Sequence, residues 1–194
     1  MKGTGQRVWA VFVDRDGTLI DETGYLSDPG RVRILPRIAP ALRKLNQLGI
    51  PVVVISNQSG VARGMFTVKD VERVNQRICD LLADENARID SIYFCTHHPD
   101  FDIRCNCRKP GPGLLIAASK DLGIDLPESF MVGDKLIDIQ AGRAAGTSTV
   151  FVRTGDGEKE LVSSSKEVAN YADGICADLY EAVDWILDKK RLPR

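Results

Sequence analysis

The chain alternates between short apolar runs and longer stretches in which apolar residues return every three or four positions. Val8–Val13 is apolar and stops at Asp14, and Pro51–Ile55 is apolar and stops at Ser56. Runs this short, uniformly apolar and rich in valine predict strands covered on both faces, as in a parallel sheet. Between them Ile38, Ala41, Leu42, Leu45 and Leu48 lie at helical spacing, with Pro36 near the start and Gly49 just past the end. That predicts a helix over Arg37–Leu48. The alternation continues with a helix from Thr67 to about Ala83, a strand over Ile89–Phe94, a helix over Gly113–Leu122 and a strand over Ser129–Val132. A helix over Lys135–Ala145, a strand over Thr149–Val152 and a helix over Ala177–Leu187 complete it. Such alternation predicts an α/β fold: a doubly wound, mainly parallel sheet with helices on both faces. Polar Gly155–Lys166 reads as a loop, Cys176 falls on a late strand, and basic Lys189–Arg194 reads as a frayed tail.

With 194 residues, 43% of them apolar, the chain makes one domain, 1–194. A domain of this size buries about 70% of the surface its unfolded form exposes. Twenty-six Lys and Arg stand against 27 Asp and Glu, a net charge of −1, so no global basic field attracts nucleic acid or an anionic membrane. No apolar run approaches the roughly 20 residues that cross a bilayer, and Met1–Arg7 has no apolar signal core. The expectation is a cytoplasmic protein without nucleic-acid or membrane partners. Five cysteines, three of them at Cys95, Cys105 and Cys107, fit a reducing compartment better than a disulfide framework.

Polar residues of a chemically useful kind gather at the predicted strand ends, the edge where open parallel sheets bind ligands. Asp14-Arg15-Asp16-Gly17-Thr18 places two carboxylates two residues apart just where the chain leaves the sheet. Two such charges repel, and a hard divalent cation such as Mg²⁺ between them and a substrate phosphate is the simplest remedy. An ordinary Asp-Gly turn is the plainer alternative. Gly133-Asp134-Lys135 ends another strand, with Asp138 one helical turn further on the same side. Taken alone, Asp134 would be a helix cap and Asp138 a surface charge. Ser56-Asn57-Gln58-Ser59-Gly60 offers hydrogen-bond donors for phosphate oxygens, or a plain polar loop, and Arg108-Lys109 offers two adjacent cations.

Together these four segments resemble the haloacid dehalogenase-like (HAD) superfamily of phosphohydrolases over roughly residues 8–153. Asp14–Thr18 matches its first motif, Ser56 its second, Lys109 its third, and Gly133-Asp134-Lys135 with Asp138 its fourth. The resemblance implies that Asp14 attacks phosphorus to form an aspartyl-phosphate and that Asp16 protonates the leaving alkoxide and later takes a proton from water. It implies Mg²⁺ on the Asp14 and Asp134 carboxylates and the Asp16 backbone carbonyl. Ser56 and Lys109 would hold phosphoryl oxygens, and Asp138 would orient Lys135 or a metal-bound water. Larger members cover the site with a cap domain. The stretch from Thr18 to Gly60 is largely helix and strand, so no large cap fits and a monomer is expected. A receiver-like phospho-acceptor shares the strand-end aspartate, hydroxyl and lysine, but has no use for an acid two residues past the nucleophile.

Cys95-Thr96-His97-His98 and Cys105-Asn106-Cys107 bring three thiols and an imidazole within thirteen residues, the donor set of a closed structural Zn²⁺ site. Unligated cysteines are the alternative, and from the residues alone either His97 or His98 would serve. The loop segments Gly24-Tyr25, Ser56–Gly64, Cys95–Pro99, Cys105–Pro110 and Met131–Lys135 look like the D-glycero-D-manno-heptose-1,7-bisphosphate 7-phosphatase family, a relative of the histidinol-phosphate phosphatases. That likeness selects Cys95, His97, Cys105 and Cys107 as the zinc ligands. It implies a phosphorylated sugar as partner, with Glu22, Gly24, Tyr25, Asn57, Gln58, Ser59, Arg108, Lys109 and Lys135 contacting substrate; Arg63 is added on charge alone. The short spacer between His97 and Cys105 is nearer the histidinol type, which keeps histidinol phosphate as an alternative substrate. Cys79 and Cys176 read as core residues.

Overall fold

The protein is seen here as a computed structural model that describes residues 8–193. The part of the N-terminal reading that concerns Met1–Arg7 lies outside them, as does Arg194. Six strands form one parallel sheet: β1 (Val11–Val13), β2 (Val52–Asn57), β3 (Ser91–Cys95), β4 (Phe130–Gly133), β5 (Ser148–Val152) and β6 (Gly174–Cys176). Their order is β3-β2-β1-β4-β5-β6. The chain builds outward from β1 on one side, returns to lay β4 against β1, then builds outward on the other. The seam between β1 and β4 is the switch point at which ligand sites form in open α/β sheets.

Alternation along each strand divides the core. Val11, Val13, Val52, Val54, Val132 and Val150 face one way, where they meet α1 (Ile38–Gln47), α2 (Val68–Asp84) and α7 (Leu179–Lys190). Phe12, Val53, Ile55 and Met131 face the other, against Leu115 and Ala118 of α3 (Gly113–Leu122) and Ala141 of α4 (Leu136–Ala145). Both faces are therefore sealed, which is why the strands read as continuous apolar runs rather than alternating ones.

Most predicted elements are present with ends shifted by one to three residues. The first predicted strand loses its beginning: Val8 makes only an isolated bridge to Ile124, and Ala10 donates its amide to Ser129 Oγ instead of a ladder partner. β2 runs on through Ser56 and Asn57, because Asn57 still pairs with Cys95 of β3. The polar segment Gly155–Lys166 is no loop. It contains α5 (Gly157–Ser163) and enters α6 (Ser165–Tyr171), which pack through Leu161 and Val168 against Ile139 and Phe151. Nor is Lys189–Arg194 simply a tail, since α7 continues to Lys190, whose Nζ reaches Glu128 Oε2 at 2.6 Å, and Leu192 packs on the core. Between β1 and α1 the chain holds one 3₁₀ turn, Pro29–Arg31, and no cap.

Candidate active site

Val13 pairs with Val132, so the residues that follow them, Asp14 and the Gly133-Asp134 pair, emerge side by side at the carboxyl edge. Asp14 donates its amide to Val132 O at 2.9 Å. Gly17 then reverses the chain with φ +87°, a region that glycine enters without strain, and a Cβ there would overlap the Asp134 carboxylate. The Asp134 oxygens accept from Thr18 Oγ1 at 3.2 Å and from the Asp156 amide at 2.9 Å. Asp138 stands one turn into α4, and its Oδ2 accepts the Lys135 amide at 3.0 Å. Carboxylate oxygens of Asp14, Asp134 and Asp138 all lie within 4.8 Å of one another, and all three residues are buried.

One cation enters this cluster. Lys109 Nζ lies 2.5 Å from Asp14 Oδ1, 2.6 Å from Asp138 Oδ1 and 2.8 Å from the Ile55 carbonyl. Burial pushes the Asp14 carboxyl well above the usual range; Lys109 pulls it back, and the charges of Asp138, Asp134 and Asp16 raise it again. Burial and Asp138 push Asp134 up to about 7. Lys109 moves upward because Asp138 and Asp14 outweigh the burial that opposes its charge. Three buried carboxylates exceed one ammonium, and buried charge persists only when paired or metal-bound. An all-oxygen cluster of this kind fits Mg²⁺.

The Asp16 side chain points elsewhere. Its Oδ2 and Oδ1 each accept from Arg15, through Nε and Nη2, both at 3.0 Å, and Gln58 Nε2 donates to Oδ2 at 2.8 Å. Arg15 is completely buried and spends Nη1 on Asn75 of α2 at 2.9 Å. Asp16 thus belongs to the site without its carboxylate joining the acidic cluster. Ser56 sits beneath, accepting from Gln58 Nε2 at 2.8 Å and lying 3.5 Å from Asp16 Oδ2.

An open cleft of about 480 Å³ rises from these groups. Of the residues expected to hold or contact substrate, Ser56 is not among its liners, but Glu22, Gly24, Tyr25, Asn57, Gln58, Ser59, Arg108, Lys109 and Lys135 line it. Arg63 does not. Several of the liners are also committed to one another. Asn57 clamps the Lys109 backbone, accepting its amide at 3.0 Å and donating to its carbonyl at 3.1 Å. Lys135 Nζ meets Glu22 Oε2 at 2.7 Å and Asp156 Oδ2 at 3.3 Å. The Asp138 carboxylate therefore does two things: Oδ2 accepts the Lys135 backbone amide, and Oδ1 holds Lys109, a pairing the sequence reading missed. Gly60, the last residue of the Ser56–Gly60 segment, also lines the cleft, and Ile137 and Asp156 do so unforeseen. For Asp156 the signal was available, a Gly-Asp-Gly step just beyond a strand, but it lay in the segment read as a loop.

Beside the cleft, Cys95, His97, Cys105 and Cys107 bring Sγ and Nδ1 atoms within 4.8 Å of each other. Cys95 ends β3, and Cys107 lies 2.8 Å from it and 3.3 Å from His97 Nδ1. His98 turns away toward Arg63, and His97 is the histidine that lies in the cluster. Burial raises the Cys95 and Cys107 thiols, whereas for Cys105 hydrogen bonds from Cys107 and the Arg108 amide overcome burial and bring it to about 7. The cluster could hold zinc as a closed four-donor site.

Comparison with known proteins agrees with this geometry. A HAD-hydrolase-like family model matches residues 106–182. The D-glycero-beta-D-manno-heptose-1,7-bisphosphate 7-phosphatase of Yersinia pestis is 40% identical over 184 residues, 92% of this chain and 96% of that protein. The Escherichia coli K12 protein of the same name is 39% identical over 180 residues, 90% and 93% of the two chains. A crystal structure of D,D-heptose 1,7-bisphosphate phosphatase from B. bronchiseptica, complexed with magnesium and phosphate, superposes with TM-score 0.84 at 30% identity, covering 94% of this chain and 99% of that one. With the motifs, the fold and full-length likeness in agreement, this chain belongs to the D-glycero-beta-D-manno-heptose-1,7-bisphosphate 7-phosphatase family of HAD-like hydrolases.

Proposed function

We propose that the protein is a magnesium-dependent phosphohydrolase that removes the 7-phosphate of D-glycero-β-D-manno-heptose 1,7-bisphosphate. The observation that carries the reading is the meeting of Asp14, Asp138 and Lys109 in a cleft wide enough for a sugar bisphosphate, with the buried Asp134 carboxylate beside them. Mg²⁺ would be held by the Asp14 and Asp134 carboxylates and the Asp16 carbonyl. Bound there, it supplies the positive charge that lets an anionic nucleophile approach an anionic phosphoryl group.

Asp14 is the nucleophile, fixed at its strand end and attacking in line to split one difficult hydrolysis into two displacements. Lys109, held in position by Asp138 and by the Asn57 clamp on its backbone, binds the phosphoryl oxygens with Ser56 and spreads their charge. Asp16 gives its proton to the departing sugar oxygen and then receives one from the attacking water. To do so it must exchange part of its present contact with Arg15 for the substrate oxygen. Glu22, Gly24, Tyr25 and Lys135 on one wall, and Asn57, Gln58, Ser59 and Arg108 on the other, meet the sugar and its second phosphate. The four-donor cluster binds a structural Zn²⁺ that anchors the start of Arg108-Lys109. A soluble cytoplasmic monomer completes the reading; among the described residues no helix is long and apolar enough to cross a membrane.

The test is a comparison of kcat/KM, with Mg²⁺, for both heptose 1,7-bisphosphate anomers, fructose 1,6-bisphosphate and histidinol phosphate. The β-heptose bisphosphate should lead by tenfold or more. A lead for histidinol phosphate overturns the substrate assignment.

A further inference from the structure

Arg63, added to the substrate contacts on charge alone, stands outside the cleft, and its side chain engages two loops other than its own. Its guanidinium lies 4.4 Å from the centroid of the Phe101 ring and 5.7 Å from that of Tyr25. Its Nη2 donates to His98 Nε2 at 3.1 Å; arginine has no acceptor, so the ring nitrogen must accept. Its own backbone amide donates to the Ser59 carbonyl at 3.1 Å, a bond within the loop after β2 that carries it. Nε is buried and has no partner, so the guanidinium is held there by stacking and by the one imidazole contact rather than by a full set of hydrogen bonds.

The partners are placed for this. Tyr25 belongs to the loop after β1 and lines the cleft, while His98 and Phe101 belong to the cysteine-rich loop after β3. That loop braces itself around the contact: Asp102 Oδ1 accepts the His98 amide at 2.7 Å, and the His98 and Phe101 rings meet edge to face at 5.3 Å. Tyr25 and Phe101 remain about half exposed, at 47% and 53%, so neither is held by core packing. These loops are also joined close to the strand ends, where Gln58 meets Asp16 and Asn57 meets Lys109; further along them, Arg63 links Tyr25 to His98 and Phe101.

We infer that Arg63 is a positioning residue for substrate selection: a clasp that holds the loops carrying Tyr25, Ser59 and His98 at the spacing that grips the part of the substrate remote from the reacting phosphorus. It touches none of the acidic cluster, so it acts on recognition of a large sugar bisphosphate and not on chemistry at phosphorus. The inference rests on the substrate reading above.

The experiment compares wild type with Arg63→Ala and Arg63→Lys on heptose 1,7-bisphosphate and on p-nitrophenyl phosphate, a small monophosphate that needs only the floor of the cleft. Both variants should lose tenfold or more in kcat/KM for the bisphosphate, mostly through KM, with kcat for p-nitrophenyl phosphate within twofold. Lysine should not rescue, because an ammonium lacks the plane that stacks between two rings. Phe101→Ala should show the same split in smaller measure. Hydrogen exchange should rise at residues 22–26 and 98–103 of Arg63→Ala and not in the strands. Equal losses on both substrates, or unaltered exchange in the two loops, overturns the clasp. A wild type with no preference for the bisphosphate sinks the substrate reading instead, and exchange still decides the clasp.

Discussion

Asp14 sits where several negative charges converge, so replacing it removes the proposed nucleophile and relieves a buried repulsion together. Asp14→Asn should lower turnover by more than about 10³-fold, while Lys109 keeps Asp138 as its partner. The thermal midpoint of the metal-free protein should therefore not fall, and a variant that retains near-normal turnover removes Asp14 from its role. At this scale the sequence was informative where chemistry is local. Asp14 and Asp16 are two residues apart at a strand end, and their placement followed from the apolar run before them. The pairing of Lys109 with Asp138 was hidden because nothing in either neighbourhood shows that two segments far apart in sequence meet over Asp14. Asn57 was hidden likewise: its amide reads as a donor to substrate, yet it matches both backbone groups of Lys109. Arg15, between two functional aspartates, gave no sign that it would be buried or that Asn75 would receive it.

Among elements, α2 shows what a local signal can decide. Thr67 caps it, and Asp70 answers in a reciprocal box, accepting the Thr67 amide and hydroxyl, each at 2.7 Å. Hydrogen bonds from the Thr67 amide, the Thr67 hydroxyl and Arg73 hold the Asp70 carboxyl down to about 2. Its folded pKa is below its unfolded one, so its contribution is whole above the ordinary carboxylate range and is lost as pH falls through that range toward 2. Asp70→Ala should thus cost stability at neutral pH and progressively less as pH falls toward 2, measured by urea unfolding across that interval. A gap independent of pH excludes the charged form as the cause. The same kind of reading failed for α5 and α6. Each is seven residues long, too short for periodicity to register, and their apolar contacts rest mainly on Leu161 and Val168. Their stability comes from the surrounding fold, and so does their use: Glu160 of α5 caps the Leu136 amide of α4, and the Asp156 amide before α5 fixes Asp134.

For the molecule as a whole, the α/β class and the open carboxyl edge followed from alternating apolar patterns. The order of strands did not, because short runs of valine carry no label for their neighbours. Only the observed adjacency of β1 and β4 brings the two acidic strand ends together. The cysteine cluster acts at this same scale, linking the end of β3 to the segment that delivers Lys109. Removing zinc from a metal-replete sample should free residues 96–104 to exchange amide hydrogens faster and raise KM severalfold, with Mg²⁺ present throughout. Unchanged activity and exchange in a sample shown by metal analysis to be zinc-free would end the structural role. The missing cap has its own consequence. Once the sugar alcohol departs, the phosphorylated aspartate lies in a cleft open to solvent rather than in a sealed chamber, so water can reach it. Another alcohol could compete for that phosphoryl group only at a concentration able to rival that of water, so the openness of the fold bears on which acceptor is met.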